Sequence, residues 1–175
     1  MTGEGWIGRL REVLARRAPR VLEREARAAV LVPIVDDGGP LRLILTRRTR
    51  HLPTHQGHVA FPGGHVQAKD RDVVATALRE ADEEIGLAPD RVEVLGPLDD
   101  LLTHDGRVAV TPIVGRVAVL PVLRPRPEEV DRVFSIPVAE LADPGRWVDD
   151  AFHHDGEILW GLSARIVASL FREGR

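Results

Sequence analysis

The chain contains no cysteine at all. Disulfides, thiolate nucleophiles and cysteine-held zinc sites are therefore excluded. It also lacks any apolar run near the roughly 20 residues that a membrane-spanning helix needs, so a membrane is not an expected partner. Basic charge is not in excess: 24 Lys and Arg stand against 27 Asp and Glu, a formal net charge of −3. That balance gives no reason to expect nucleic acid as an electrostatic partner. The opening MTGEGWIGRLREVLARR mixes charge with apolar residues, unlike a secretory leader, and the closing EGR is no peroxisomal address. A cytoplasmic, prokaryotic protein is the expected setting. With 175 residues, 43% of them hydrophobic, there is enough chain for one domain with a proper core.

Apolar periodicity divides the chain. Trp6, Leu10, Val13 and Leu14 share one face of an N-terminal amphipathic helix, so residues 1–25 are expected to form a helical lead-in to a main domain at 26–175. ARAAVLVPIV (26–35) reads as a buried strand, DDGGP (36–40) as a turn and LRLILTRR (41–48) as the return strand, together a hairpin. Residues 49–64 read as a His-, Pro- and Gly-rich loop around the short apolar run HVAF. A helix is expected over residues 73–85, N-capped by Asp70 or Asp72 and stopped by Gly86. Further strands are expected in RVEVLGPLDDLL, RVAVTPIVGRVAVL and VDRVFSIPV, and a closing helix in SARIVASLF. This order predicts an α/β domain, a mixed β-sheet with α-helices packed on it.

The helix at 73–85 carries the chemistry. Val74, Leu78, Ala81 and Ile85 form its apolar stripe, with Ala77 beside them, while Glu80, Glu83 and Glu84 fall on another face. Like charges at i,i+3 and i,i+4 spacing cost about 0.2–0.5 kcal/mol each. They lie toward the helix C-terminus, where the macrodipole disfavours anions, so they are not there for capping. A glycine turn, Gly63-Gly64, precedes them and lets backbone approach a ligand closely. Three converging carboxylates are hard oxygen donors suited to Mg²⁺ or Mn²⁺. Glu80, Glu83 and Glu84 are accordingly expected as metal ligands, and Glu84 is expected to lie off the buried face. Arg79, four residues before Glu83, offsets part of the repulsion. His55 and His58 lack the second pair that a zinc site needs, and His153-His154 reads as surface loop.

The run Arg79, Glu80, Ala81, Glu83, Glu84, Gly86 and Leu87 resembles the second half of the Nudix box: Arg-Glu-apolar-x-Glu-Glu-x-Gly-apolar. The first half departs from it. The box glycine falls on His65, one place after Gly64, and its first Glu on Arg71. Asp70, one place earlier, is either a substitute for that Glu or an N-cap. Upstream, ILTRRTRHLPTHQGHVAFPGG is similar to a signature of one Nudix subgroup, the coenzyme A pyrophosphatases. Ile44, Leu45, Thr46, Arg48, Gly57 and Phe61-Pro62-Gly63-Gly64 fit its spacing, whereas Thr49 and Pro53 replace its Ser/Ala and second Arg. Residues 98–115, with Thr103 and Thr111-Pro112, and also residues 128–141 and 158–166, are similar to that subgroup too.

The resemblance implies the Nudix fold, a mixed sheet sandwiched between helices, and metal-dependent hydrolysis of a nucleoside diphosphate linked to a further group. Coenzyme A or its thioesters would yield 3′,5′-ADP and 4′-phosphopantetheine. It implies Mg²⁺ or Mn²⁺ as cofactor, Glu80, Glu83, Glu84 and Arg79 as catalytic residues, and Glu80 and Glu84 as the principal ligands. Glu83 is ligand or base, and Glu128 or Glu129 is an alternative base. Backbone oxygens at Gly64 or His65 are further candidates for the metal. Arg48, Arg47, Gly63 and Gly64 are expected to bind substrate, with Arg50 completing a basic cluster. A homodimer is the assembly common in that family. Two rival readings stay open: a Nudix hydrolase of ADP-ribose, NADH or a nucleoside triphosphate, and a Nudix-fold binding or regulatory module without turnover. Retention of all three glutamates argues against the second.

Overall fold

A computed structural model of the chain describes residues 3–49 and 57–174. It opens with α1 (Gly3–Arg16), followed by β1 (Ala26–Val35), β2 (Arg42–Arg48), β3 (Val59–Ala60) and β4 (Gly63–His65). Then come α2 (Val73–Ile85), β5 (Glu93–Pro97), β6 (Leu101–Leu102), β7 (Val108–Val117) and β8 (Val130–Pro137). A short helix α3 (Val138–Leu141), the strands β9 (Trp147–Val148), β10 (Ala151–His154) and β11 (Glu157–Leu159), and α4 (Gly161–Glu173) complete it.

β1 is buried on both faces, which explains its near-continuous apolar sequence. It pairs in parallel with β7 along its whole length, from Ala26–Val108 to Val35–Val117. The expected hairpin survives only at its tip, where Ile34 pairs with Leu43 and Val35 with Arg42. Beyond that tip the strands part. β2 pairs with β8 and β3, and β4 lies antiparallel along Ala28–Val30 of β1. The residues read as a plain loop at 49–64 thus include two short strands, and β4 brings the glycine turn into the gap between β1 and β2. Neither that splitting nor the long-range β1–β7 pairing has a local signal.

The sheet is mixed and covered on both sides. On one side Val32, Ile34, Leu43, Leu45 and Val114 pack against Trp6 and Leu10 of α1 and Ile166, Val167 and Leu170 of α4. On the other, Ala29, Leu31, Val35, Ile44, Ile113 and Val117 pack against Ala77, Ala81 and Ile85 of α2. Alternate residues of each strand serve opposite layers, as a pleated strand requires. A separate three-stranded sheet, β9–β10–β11, precedes α4. His153 and His154, read as surface loop, instead belong to its central strand β10, where His154 Nδ1 lies 3.2 Å from a Glu140 carboxylate oxygen. No helix among the described residues is long and apolar enough to cross a membrane.

Candidate active site

The site is built on α2, which runs from Val73 to Ile85 as its spacing predicts. Asp72 is the N-cap, its carboxylate accepting from the Ala75 N–H at 2.7 Å. Gly86 closes the helix in the left-handed conformation at φ 69°, a backbone shape that a side chain would strain. Asp70, left open between two roles, does not cap. It accepts from Arg79 Nε and Nη2, both at 2.9 Å, and from the Thr76 hydroxyl and the Gln67 N–H. The Arg79 guanidinium holds the Asp70 carboxyl well below the usual carboxylate range, and Asp70 in turn raises Arg79. The third guanidinium nitrogen, Nη1, reaches Glu80 at 2.6 Å and Glu83 at 3.2 Å. Arg79 is therefore a rigid bracket between the β4–α2 loop and two of the glutamates.

Glu80 and Glu84 meet the glycine turn. A Cβ on Gly64 would lie 2.5 Å from the Glu80 carboxyl carbon, so any side chain there would push that carboxylate out of its position. Gly63 serves the fold instead: a Cβ there would meet the Ala29 carbonyl oxygen at 2.4 Å. The Gly63 N–H donates to Glu84 Oε2 at 3.3 Å. Glu84 is only 4% exposed, which corrects the expectation that it lies off the buried face. The reason is helical geometry: Ala77, Ala81 and Glu84 stand at i, i+4 and i+7, and two turns of helix bring Glu84 beneath Ala77. Burial pushes its carboxyl up to about 8, with Arg48 opposing the shift and Glu129 and Glu80 adding to it. Glu83 is 40% exposed and faces Arg79 and, at 3.8 Å, Lys69. Asp82 is plain surface. Among the described residues no three acidic or imidazole side chains are drawn together tightly enough to hold an ion as they stand.

Opposite Glu84 lies the end of β2. Asp131 of β8 is skipped in the pairing, so Arg47 faces Arg132 while Arg48 faces Val130. This irregularity falls where the arginines diverge. Arg48 acts on Glu84, and its buried Nε has no hydrogen-bond partner among the described residues. Arg47 turns to the other face, bonded to Asp131 at 2.6 Å and to the buried Glu157 at 2.9 Å. Arg50 and His55 lie outside the described residues.

The proline-rich connector before β8 docks on the end of α2: Arg124 and Arg126 N–H groups donate to the Ile85 and Glu84 carbonyls, both at 2.8 Å. Thr49 then donates to the Glu129 and Glu128 carbonyls. These contacts bring the Glu129 charge to bear on Glu84. Thr111 and Thr103 lie in structural bonds: Thr111 donates to the buried Asp100, and Thr103 to Asp105 in a turn.

The structure thus brings together Glu80, Glu84, Gly63, Gly64 and Arg48, places Glu83 at the rim under Arg79, and sends Arg47 elsewhere. Sequence reasoning left the bracket role of Asp70 unassigned, although an acid nine residues before Arg79 at the start of the helix was its signal.

Comparisons with known proteins bear on this arrangement. Residues 25–155 match the sequence model of the NUDIX domain. A Photorhabdus laumondii protein named uncharacterized Nudix hydrolase NudL is 34% identical over 180 residues, covering 96% of this chain and 95% of that protein. A Pectobacterium atrosepticum protein of the same name is 37% identical over 163 residues, covering 86% and 84%. Among solved structures, the Caenorhabditis elegans Ap4A hydrolase binary complex superposes with a TM-score of 0.60 at 16% identity, over 83% of this chain and 93% of that one. The NUDIX domain of Shewanella oneidensis NrtR complexed with ADP ribose gives 0.57 at 19% identity, over 99% and 98%. These structural likenesses establish the architecture, a mixed sheet flanked by helices.

Proposed function

The chain belongs to the Nudix hydrolase family, and we propose that its substrate is coenzyme A or one of its thioesters, split into 3′,5′-ADP and 4′-phosphopantetheine. It is a hydrolase of nucleoside diphosphate derivatives; the finer reading rests on one observation. The run Leu45-Thr46-x-Arg48, Gly57 and Phe61-Pro62-Gly63-Gly64 folds so that the Arg48 charge acts on Glu84 and the Gly63 N–H donates to it.

Glu80 and Glu84 are the residues that would hold Mg²⁺ or Mn²⁺. The donor set fits such an ion: a buried carboxylate disfavoured in its charged form, a second carboxylate, and a glycine turn that admits it only for want of a Cβ. A bound divalent cation would neutralise charge on the pyrophosphate oxygens and acidify a water. Everything else comes from the chain. Asp70 fixes Arg79, and Arg79 fixes Glu80, so one ligand is oriented before any ion arrives. Arg48 offers a partly desolvated guanidinium to the substrate's phosphates, a charge-assisted contact with a planar fork. Arg47, neutralised by Asp131 and Glu157, stands outside that contact. Glu83 serves as a further ligand or as the base that removes a proton from water, with Glu129 the other carboxylate next to the pair.

The test is a substrate panel with Mg²⁺ and with Mn²⁺: coenzyme A, its thioesters, NADH, ADP-ribose and 8-oxo-dGTP. Coenzyme A or a thioester is expected to show the highest kcat/KM, releasing 3′,5′-ADP. Preference for ADP-ribose or NADH would overturn the substrate assignment, and turnover of none would favour a binding module.

A further inference from the structure

The chain has only seven Trp and Phe side chains, and most are spent in the core. Trp160 is different. It is 50% exposed, the one exposed Trp or Phe among the described residues. Its backbone is nevertheless anchored on both sides. Leu159 before it is buried in the core, and Ser163 after it donates to the Val59 carbonyl of β3 at 3.0 Å. The indole is held against His58, ring centroids 4.8 Å apart with the planes tilted by 64°. A large aromatic ring held against a neighbour and open to water offers a face on which a nucleobase can stack.

The position of His58 connects that platform to the active site. β2 and β3 pair in the register Thr46–Ala60 and Arg47–Val59, and the Arg48 N–H donates to the His58 carbonyl at 3.0 Å. Arg48 and His58 are thus cross-strand neighbours, and such neighbours project to the same face. That is the face of Ile44 and α2, toward Glu84. A path therefore runs from Glu84 through Arg48 and His58 to Trp160. One strand spacing of about 4.8 Å separates Arg48 from His58, and the ring contact carries the path on to Trp160.

We propose that Trp160, backed by His58, stacks the nucleobase of the substrate while Arg48 and the glutamate pair hold its diphosphate. The inference rests on the chain's acting on a nucleoside diphosphate derivative and is indifferent to the group attached beyond the second phosphate. Stacking reads an aromatic face and not a hydrogen-bond pattern, so Trp160 sets affinity for the nucleotide half and leaves the chemical step alone.

The test uses the full chain with Mg²⁺, Trp160→Ala and Trp160→Phe variants, and two probes, ADP and inorganic pyrophosphate, by titration calorimetry. Trp160→Ala is expected to weaken ADP about five- to hundredfold and leave pyrophosphate unchanged, while Trp160→Phe keeps ADP within about threefold. In turnover, KM of the best substrate in the panel rises in Trp160→Ala and kcat holds. Unchanged ADP affinity in Trp160→Ala, or equal weakening of ADP and pyrophosphate, would overturn the proposal. Coenzyme A, ADP-ribose and NADH all carry an ADP half, so failure of the coenzyme A assignment leaves this result standing, and the reverse.

Discussion

Replacing Glu84 by Gln should remove activity and, without metal, make the protein more stable. The side chain is 4% exposed, and burial raises its carboxyl from 4.5 to about 8. In the unfolded chain the group ionises near 4.5, so between that pH and about 8 the folded state binds the extra proton. Stability linked to Glu84 is therefore full below 4.5, falls as pH rises through this window and levels off above about 8. Each pH unit of the window is worth about 1.4 kcal/mol, which sets a ceiling of about 5 kcal/mol. Glutamine keeps the shape and the acceptor for the Gly63 N–H but cannot ionise. In urea unfolding with a chelator, Glu84→Gln should match the parent within about 1 kcal/mol at pH 5 and exceed it by about 2–5 kcal/mol at pH 8.5. Mg²⁺ should then stabilise the parent at pH 8.5 by more than it stabilises the variant. A difference independent of pH, or a variant less stable at pH 8.5, would refute the reasoning.

The bracket and the two glycines give separable outcomes. Asp70→Asn removes the charged anchor of Arg79 Nε and Nη2 and leaves only Glu80 and Glu83 on Nη1, so kcat should fall about tenfold or more while stability drops about 1–3 kcal/mol; steady-state kinetics and urea unfolding check both. Gly64→Ala drives a methyl into the Glu80 carboxylate, so calorimetric Mn²⁺ affinity should fall about 10- to 100-fold with the fold retained. Gly63→Ala strikes the β1 backbone and should cost about 2–4 kcal/mol of stability, read from the urea midpoint.

Much of this was legible in the sequence because it is local. The limits and caps of α2 follow from Asp72, Gly86 and the apolar spacing between them. In the sequence Arg47 and Arg48 group with Arg50 as one basic cluster, whereas strand alternation sends the two to opposite faces and only Arg48 takes the α2 side. The parallel β1–β7 ladder and the splitting of β1 from β2 are long-range pairings that no short pattern encodes. The burial of Glu84 was readable from its place two turns below Ala77, but a glutamate in a charged run reads as surface until its neighbours are known. Asp70 shows the same limit: its acid type is visible, its partner Arg79 is not.

The claim that Glu80 and Glu84 form the metal seat is tested most directly by Mn²⁺ binding to the parent, Glu80→Gln, Glu84→Gln and Glu83→Gln proteins, followed by electron paramagnetic resonance of the free ion. The account predicts about 10- to 100-fold weaker binding in each of the first two variants, with coenzyme A hydrolysis lost in parallel. Undiminished Mn²⁺ affinity in both Glu80→Gln and Glu84→Gln would contradict it.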